Sequence, residues 1–193
     1  MVDFPNWFNA TAEANFVTNL RNNVDRTKAL HALQLGSFTG DASVWLLNNV
    51  LTHDKSTLTD VDTWLGSDEP LHEGLNFARA EQLHDEAVAP YGDKVITFKG
   101  TTREFFLKFP KKSYDFIYVD ASHKAVDVLE DVVKSHVALK VGGILALDDY
   151  IWGQDYPALD TPRPAIDVFL RFYALKYQVL GINNQVWLRK IYD

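Results

Sequence analysis

The 193-residue chain has no cysteine and a single methionine. The missing cysteine removes disulfides, thiolate metal sites and cysteine nucleophiles together. Positive charge is also scarce: 19 Lys and Arg stand against 26 Asp and Glu, a formal net charge of -7. Such a field repels phosphate backbones, so nucleic acid is not an expected partner. No apolar run approaches the ~20 residues that cross a bilayer, and the opening "MVDFPNWFNATAEANF" shows no basic stretch leading into an apolar core. The expectation is a cytoplasmic protein with no membrane partner. Internal repeats, low-complexity tracts and Gly/Ser linkers are absent, and so is the three-glycine spacing of the usual dinucleotide fingerprint.

What is present is an ordinary globular composition, 47% hydrophobic and 23% charged, on a length that suits one domain over residues 1–193. The hydrophobic period alternates along it. Phe16, Val17, Leu20 and Val24 sit at helical spacing in an N-terminal segment, residues 1–30, and "ALHALQLG" then gives a short apolar run. Val44, Leu47, Val50 and Leu51 mark a helix before the strand "STLTDVD". Leu71, Leu75, Ala78 and Leu83 mark a weaker helix before "KVITFKG". A short Phe-rich helix over 102–107, the strand "YDFIYVD", an amphipathic helix over 125–137 and the strand "GGILALDD" complete five strands that alternate with helices. Helical crossovers require parallel strands, and a parallel sheet covered on both faces shows continuous apolar runs such as "FIYV" and "ILAL". The expected class is therefore doubly wound α/β. After a helix carrying Ala165, Ile166, Phe169, Leu170 and Tyr173, "YQVLGI" and "VWLRKIY" flank Asn183 and Asn184, a hairpin signal that makes the last strand antiparallel.

In open α/β sheets, ligands bind beyond the carboxyl ends of the strands. Here those ends are polar. "LGSFTGDAS" places Gly36 and Gly40 around a turn where backbone can approach a ligand under helix N-terminal amides, although a structural strand-to-helix turn accounts for the same pair. Asp62, which ends the second strand, can accept hydrogen bonds from ribose hydroxyls; Asp60 is its rival, and a solvated strand-end aspartate is the plainer alternative for both. Trp64 suits either packing on a nucleoside or the core. Thr101 and Thr102 follow the third strand, as helix caps or as hydroxyls near a base.

Asp120 ends the fourth strand with His123 three residues on, and Asp148 with Asp149 ends the fifth. If these strands pair, their tips lie ~5 Å apart. Three carboxylates at that spacing raise one another's pKa unless a cation compensates them, and a hard, oxygen-liganded ion such as Mg²⁺ suits the set. A turn or N-cap role is the alternative for Asp149. Side chains alternate along a strand, so Asp148 and Asp149 share an ion only if the chain turns between them; in an extended chain Asp148 is the better ligand. His123 stands where a base meets a substrate, whereas His31, His53, His72, His84 and His136 lack acidic partners at ligand spacing and read as ordinary core or surface.

Together, "LQLGSFTG", "LTDVDTW", "YDFIYVDASH", "LKVGGILALDDYIWG" and the closing hairpin resemble the class I S-adenosylmethionine-dependent methyltransferases over nearly the whole chain. "VDASH", "GGILALDDY" and "PAIDVF" resemble most the small O-methyltransferases of the macrocin type and, more distantly, the catechol and caffeoyl-CoA enzymes. The resemblance implies a Rossmann-like seven-stranded sheet, mostly parallel with an antiparallel last strand. It implies S-adenosylmethionine held by Gly36, Ser37, Phe38, Thr39, Gly40, Ser43, Asp62, Trp64, Thr101, Thr102 and Asp120, and a divalent ion, Mg²⁺, on Asp120, Asp148 and Asp149. Where the catechol-type enzymes carry a lysine base, this chain has His123, whose ordinary pKa of ~6.5 instead of ~10.4 suits removal of a hydroxyl proton near neutrality. Where the first glycine motif usually begins with an acid, this chain has Gln34.

The implied activity is methyl transfer to a hydroxyl of a small acceptor, a sugar or a phenol, with Asp120 and His123 at the reacting centre. A cofactor-binding protein without transfer activity and a nicotinamide-dependent oxidoreductase are the alternatives. The segment 66–91 and the loop "IWGQDYPALDTPRP", with Trp152, Tyr156 and Arg163, are placed to cover the acceptor or to form a homo-oligomer contact, and Phe4, Trp7 and Phe8 to pack over the cofactor or a second subunit.

Overall fold

The computed structural model describes residues 4–67, 72–110 and 113–193. A helical segment opens it: the α-helical turn α1 (Glu13–Asn15) is flanked by wider π-helical stretches over Phe8–Ala12 and Phe16–Arg21. There follow β1 (His31–Leu35), α2 (Asp41–Asn49), β2 (Thr57–Asp62), α3 (Phe77–Val88), β3 (Val95–Lys99), α4 (Thr102–Lys108), β4 (Tyr114–Val119), α5 (Ala125–Ala138), β5 (Leu139–Leu147), α6 (Arg163–Phe172), β6 (Tyr177–Ile182) and β7 (Val186–Lys190).

These strands form one seven-stranded sheet in the order β3-β2-β1-β4-β5-β7-β6. β1 through β5 pair in parallel, and β7 inserts antiparallel between β5 and β6. The expected doubly wound, mostly parallel sheet with an antiparallel last strand is the observed one. The chain lays β2 and β3 to one side of β1 and β4 and β5 to the other, so the order reverses between β1 and β4. A reversal of this kind leaves a crevice beyond the carboxyl ends.

Side chains alternate between faces along each strand. Leu33, Leu35, Ile117, Val119, Leu145 and Leu147 pack on one face against Val128 and Val132 of α5 and Ile166 and Phe169 of α6. Ala32, Phe116, Tyr118, Ile144 and Ala146 pack on the other against Leu46 and Leu47 of α2 and Phe8, Phe16 and Leu20 of the N-terminal segment. That two-sided burial is why "FIYV" and "ILAL" read as unbroken apolar runs. Phe16, fully buried, meets Tyr118 and Trp187 edge-on at 4.9 and 5.0 Å, so the N-terminal helix is a layer of the core.

Two boundaries differ from the sequence expectation. β5 begins at Leu139 and not at the Gly142–Gly143 pair, because its pairing with β4 jumps from Tyr114↔Leu139 to Phe116↔Ile144 and the glycines occupy the irregularity, Gly142 at φ 87. The weak helix starts later than its apolar spacing suggested: Leu71 lies outside the described residues, Leu75 precedes the helix, and Asn76 caps it by accepting from the Arg79 amide at 3.1 Å. Its buried stripe is Ala80, His84 and Val88. A buried histidine at the centre of that stripe is what blurred the period.

Candidate active site

The five parallel strands end in line. Beyond each strand the ladder runs one residue further: Gly36 N donates to Val61 O at 2.8 Å, Gly100 N to Asp62 O at 2.9 Å, Asp120 N to Leu35 O at 2.8 Å and Asp148 N to Val119 O at 3.0 Å. The residues that close the apolar runs therefore stand side by side.

At the β1 tip, Gly36 adopts φ +84, and a Cβ there would sit 1.9 Å from the carbonyl oxygen of Asp120. Only glycine permits this approach, which joins the turn after β1 to the tip of β4. Asp62 holds the turn from the other side. Its Oδ2 accepts from the amides of Ser37 at 2.8 Å and Phe38 at 2.9 Å, and its Oδ1 accepts from the Trp64 amide at 2.8 Å. Trp64 donates from its indole to the Phe38 carbonyl at 2.8 Å. Phe38 and Trp64 both carry positive φ, 45 and 49, so the three amide bonds to one carboxylate sustain a loop the backbone would not adopt alone.

A cavity of about 810 Å³ opens over these tips. Gly36, Ser37, Phe38, Thr39, Asp62, Trp64, Thr101, Thr102, Asp120, His123, Asp148 and Asp149 all line it. Gly40 and Ser43 do not. Gly40, at φ 88, caps α2 with its Cα hydrogen side toward His84, and Ser43 is fully buried beneath the turn, 3.4 Å from the Gln34 amide oxygen. Thr101 has its hydroxyl committed to α4, in a capping box with Glu104, which leaves Thr102 as the hydroxyl of the pair turned to other use. Trp7 packs on Phe38 at 4.8 Å and on His72 at 5.8 Å, so the N-terminal segment and the stretch before α3 form an aromatic wall.

At the other end, Asp120, His123 and Asp149 converge, with one ligand atom from each lying within 4.8 Å of the others. His123 Nε2 is 2.8 Å from Asp149 Oδ2. The chain does turn between the paired aspartates: Asp149 has φ 57, and its amide donates back to Asp148 Oδ1 at 2.7 Å. The turn sends the two carboxylates different ways. Asp149 joins Asp120 and His123, while Asp148 accepts from the Tyr118 hydroxyl and, at 2.8 Å, from Gln185 Nε2. Gln185 is held by the Trp187 indole at 3.0 Å. Asp148 is thus the residue that holds the loop, the reverse of the ranking expected for an extended chain.

The electrostatics are those of crowded acids. Burial and the charges of Asp148 and Asp149 push the Asp120 carboxyl well above the usual carboxylate range, with His123 opposing the shift. Burial and the charge of Asp149 push Asp148 up to about 6, against the hydrogen bonds from Tyr118 and Gln185. Such a cluster favours a cation or a proton among its members. The His123 ring lies 4.1 Å from that of Trp152, and Trp152 stacks on Tyr156 at 5.1 Å. Of the two expected covering segments, Gly66, Ser67, His72 and Phe77 from the first and Trp152 from the second line the cavity. Arg163 instead sits over Tyr150 at 5.1 Å, and residues 68–71 lie outside the described residues.

Two readings of single residues change. His84 has an acidic partner after all: its Nε2 is 2.9 Å from Asp60 Oδ2, both side chains fully buried. Burial alone would depress the imidazole pKa, but the hydrogen bond and charge of Asp60 raise it above its ordinary value. This removes Asp60 from contention as a ribose ligand. His72, grouped with ordinary histidines, lines the cavity, with Nδ1 3.1 Å from the Ser67 amide. Gln185 and Asp131 carried no signal in the sequence, since one belongs to a hairpin turn and the other to the inner face of α5.

A methyltransferase-domain family profile matches residues 33–150. No curated protein sequence matches. Among solved structures, the chain is similar to the O-methyltransferase TomG of Streptomyces achromogenes in complex with SAM, at 16% identity and TM-score 0.66 over 92% of this chain and 77% of that one. It is similar to a Corynebacterium glutamicum protein at 16% identity and TM-score 0.68 over 99% and 84% of the two chains. It is also similar to an O-methyltransferase of Bacillus cereus in complex with SAH, at 13% identity and TM-score 0.61 over 98% and 93%. At these identities the similarity is one of fold.

Proposed function

The chain belongs to the methyltransferase-domain family, and on that premise we propose that it transfers a methyl group from S-adenosylmethionine to a hydroxyl of a small acceptor, a sugar or a phenol. The observation that carries the reading is the meeting of Asp120, His123 and Asp149 beside the Gly36 turn, in one cavity.

The residues fit the donor. Ser37 Oγ, buried in the turn that lines the cavity, has no hydrogen-bond partner among the described residues, a vacancy that a polar ligand would fill. Gly36, Ser37, Phe38 and Thr39 would hold its amino-acid portion, and Asp62, Trp64 and Thr102 its nucleoside. When bound, S-adenosylmethionine supplies an electrophilic methyl carbon on a sulfonium, a cation suited to a field of acids.

The protein's own groups do the rest. His123 accepts the acceptor's hydroxyl proton. Asp149, 2.8 Å from Nε2, fixes the ring and stabilises the imidazolium that forms. Trp152 packs against the ring and restricts its rotation. Tyr118 and Gln185 pin Asp148 and with it the turn that aims Asp149. Holding the oxygen within the cavity in one orientation replaces a bimolecular encounter by a positioned one.

A second reading of the same three side chains is favoured by their spacing. Asp120, His123 and Asp149 would hold a divalent ion that lowers the acceptor hydroxyl's pKa, with Mg²⁺ as the expected ion and Mn²⁺ equally suited to the imidazole.

The test is methyl transfer from labelled S-adenosylmethionine across a panel of sugar and phenol hydroxyls, with calorimetry of S-adenosylmethionine and NAD side by side. Transfer that disappears in His123→Ala while donor affinity holds is the expected result. Donor binding with no turnover anywhere on the panel would instead favour a binding protein, and NAD binding alone an oxidoreductase. Activity lost in EDTA and restored by Mg²⁺ or Mn²⁺ selects the metal arm; full activity in EDTA selects His123 as the base.

A further inference from the structure

Beside the turn after β1 lies a pair of titratable side chains that the proposed reaction does not use. Asp60, inside β2, and His84, at the centre of the buried face of α3, are both fully buried and meet at 2.9 Å between Oδ2 and Nε2. The second Asp60 oxygen, Oδ1, is buried and has no hydrogen-bond partner among the described residues. Neither residue lines the cavity, but His84 touches two elements that shape it. The Trp64 ring, which does line the cavity, lies 5.0 Å from the His84 ring. A Cβ on Gly40, where the turn enters α2, would sit 3.4 Å from His84 Cδ2.

Burying two ionisable groups carries a desolvation cost, and an apolar pair of similar volume would pack α3 on β2 as well or better. Stability therefore does not account for the pair. What a charge-assisted hydrogen bond adds is orientation: it fixes the His84 ring, and the ring backs Trp64. Trp64 in turn donates from its indole to the Phe38 carbonyl at 2.8 Å, so it is a strut between the pair and the turn. We propose that Asp60 and His84 are positioning residues of the donor site, which lock Trp64 and the Gly40 end of the turn from behind, so that the charge on the pair governs donor affinity without either residue touching the donor. The assignment rests on the methyl-donor reading above.

Charge gives the pair a signature that packing alone lacks. The groups that act on the His84 charge are Asp60 from β2 and Asp85 from α3 itself, whose Oδ1 is 3.4 Å from Nδ1. Trp64 and Gly40, which bring the neighbouring loop and the α2 cap against the ring, carry no charge. Burial opposes the imidazolium, but the two acids outweigh it and raise the ring above its ordinary value. The neutral ring would leave the buried Asp60 carboxylate without a counter-charge. The lock is therefore complete below the ordinary histidine value of 6.5 and is lost as pH rises through the raised folded value.

The experiment measures the affinity of the full chain for S-adenosylhomocysteine by calorimetry at pH 6 and pH 9, in wild type and in His84→Gln. Glutamine keeps a neutral donor for Asp60 and does not titrate. Affinity is expected to fall between the two pH values by a factor about fivefold or more larger in wild type than in the variant, the lower end of ordinary coupling between sites. The comparison cancels titrations common to both proteins. Asp60→Asn, which leaves the ring and removes the partner that raises it, gives the same flattening should the glutamine variant not fold. A pH dependence equal to that of wild type in either folded variant overturns the assignment. If wild type binds S-adenosylhomocysteine at neither pH, the methyl-donor reading itself falls and this assignment with it, a failure distinguishable from the first because it precedes any substitution.

Discussion

Asp62 and Asp149 are both strand-tip aspartates on the same cavity, and their surroundings are opposite. Asp62 receives three backbone amides and lies within a turn made of its own neighbours. Asp149 faces Asp120 and Asp148, and it pairs with the His123 imidazole. At β1 and β2 the protein has satisfied the Asp62 carboxylate in advance and built a fixed seat. At β4 and β5 it has gathered charge that its own side chains balance only in part, which is the condition for binding a cation or moving a proton. Under the proposed function, the contrast separates a region that positions from a region that reacts.

The substitution expected to erase the contrast altogether is Gly36→Val. A side chain 1.9 Å from the Asp120 carbonyl, on a φ of +84, must displace the turn, the β4 tip or both. We expect a loss of more than about 3 kcal/mol in denaturant melts, together with loss of donor binding. His123→Ala should break only the reacting half. Its expected effect is a fall of about 10²- to 10⁴-fold in kcat, with donor affinity by calorimetry within about twofold. Asp62→Ala should break only the seat: about 2 kcal/mol of stability and a weaker donor Kd as the Ser37, Phe38 and Trp64 amides lose their acceptor, while the kcat of the saturated enzyme holds within about threefold.

Asp131 sharpens the comparison because it belongs to neither class. Its folded-state pKa of about 7 lies above the ordinary 3.8, so the folded protein keeps the proton longer than the unfolded chain does. The associated stability is complete below the ordinary value and is lost as pH rises to about 7. Chemical melts at pH 5 and pH 8 should show wild type losing more stability than Asp131→Asn between the two, by about 2 kcal/mol. Equal losses would mean that Asp131 is ion-paired or hydrated in solution.

Much of the arrangement could be read before any coordinates. Apolar runs of strand length that end in Gly36, Asp62, Asp120 and Asp148 announce a parallel sheet whose polar residues collect at one edge, because only a strand's end escapes two-sided burial. The hairpin at Asn183 and Asn184 was legible for the same local reason. What the sequence concealed depends on backbone sign and on distance along the chain. Asp149 joins the cluster and Asp148 does not because of a φ of 57, a choice open to any residue pair of that type. Asp60 and His84 are 24 residues apart and on different elements, so no spacing rule links them. Gln185 reaches Asp148 across 37 residues, from a turn whose composition says only that it is a turn.

The bond from Gln185 has a consequence for what counts as the working unit of this chain. The family match ends at residue 150, yet the fifth strand's aspartate is clasped from the hairpin beyond it, and that hairpin is tied in turn to the N-terminal helix: Asn15 bonds to Asn183 and Asn184, each at 3.1 Å. The N-terminal helical segment and the closing hairpin, both outside the matched span, are stitched to each other. A fragment trimmed to the family boundaries would retain Asp120, His123 and Asp149 but lose Trp152 and the clasp that aims Asp149, so the competent unit of this protein includes the N-terminal helical segment and the closing hairpin.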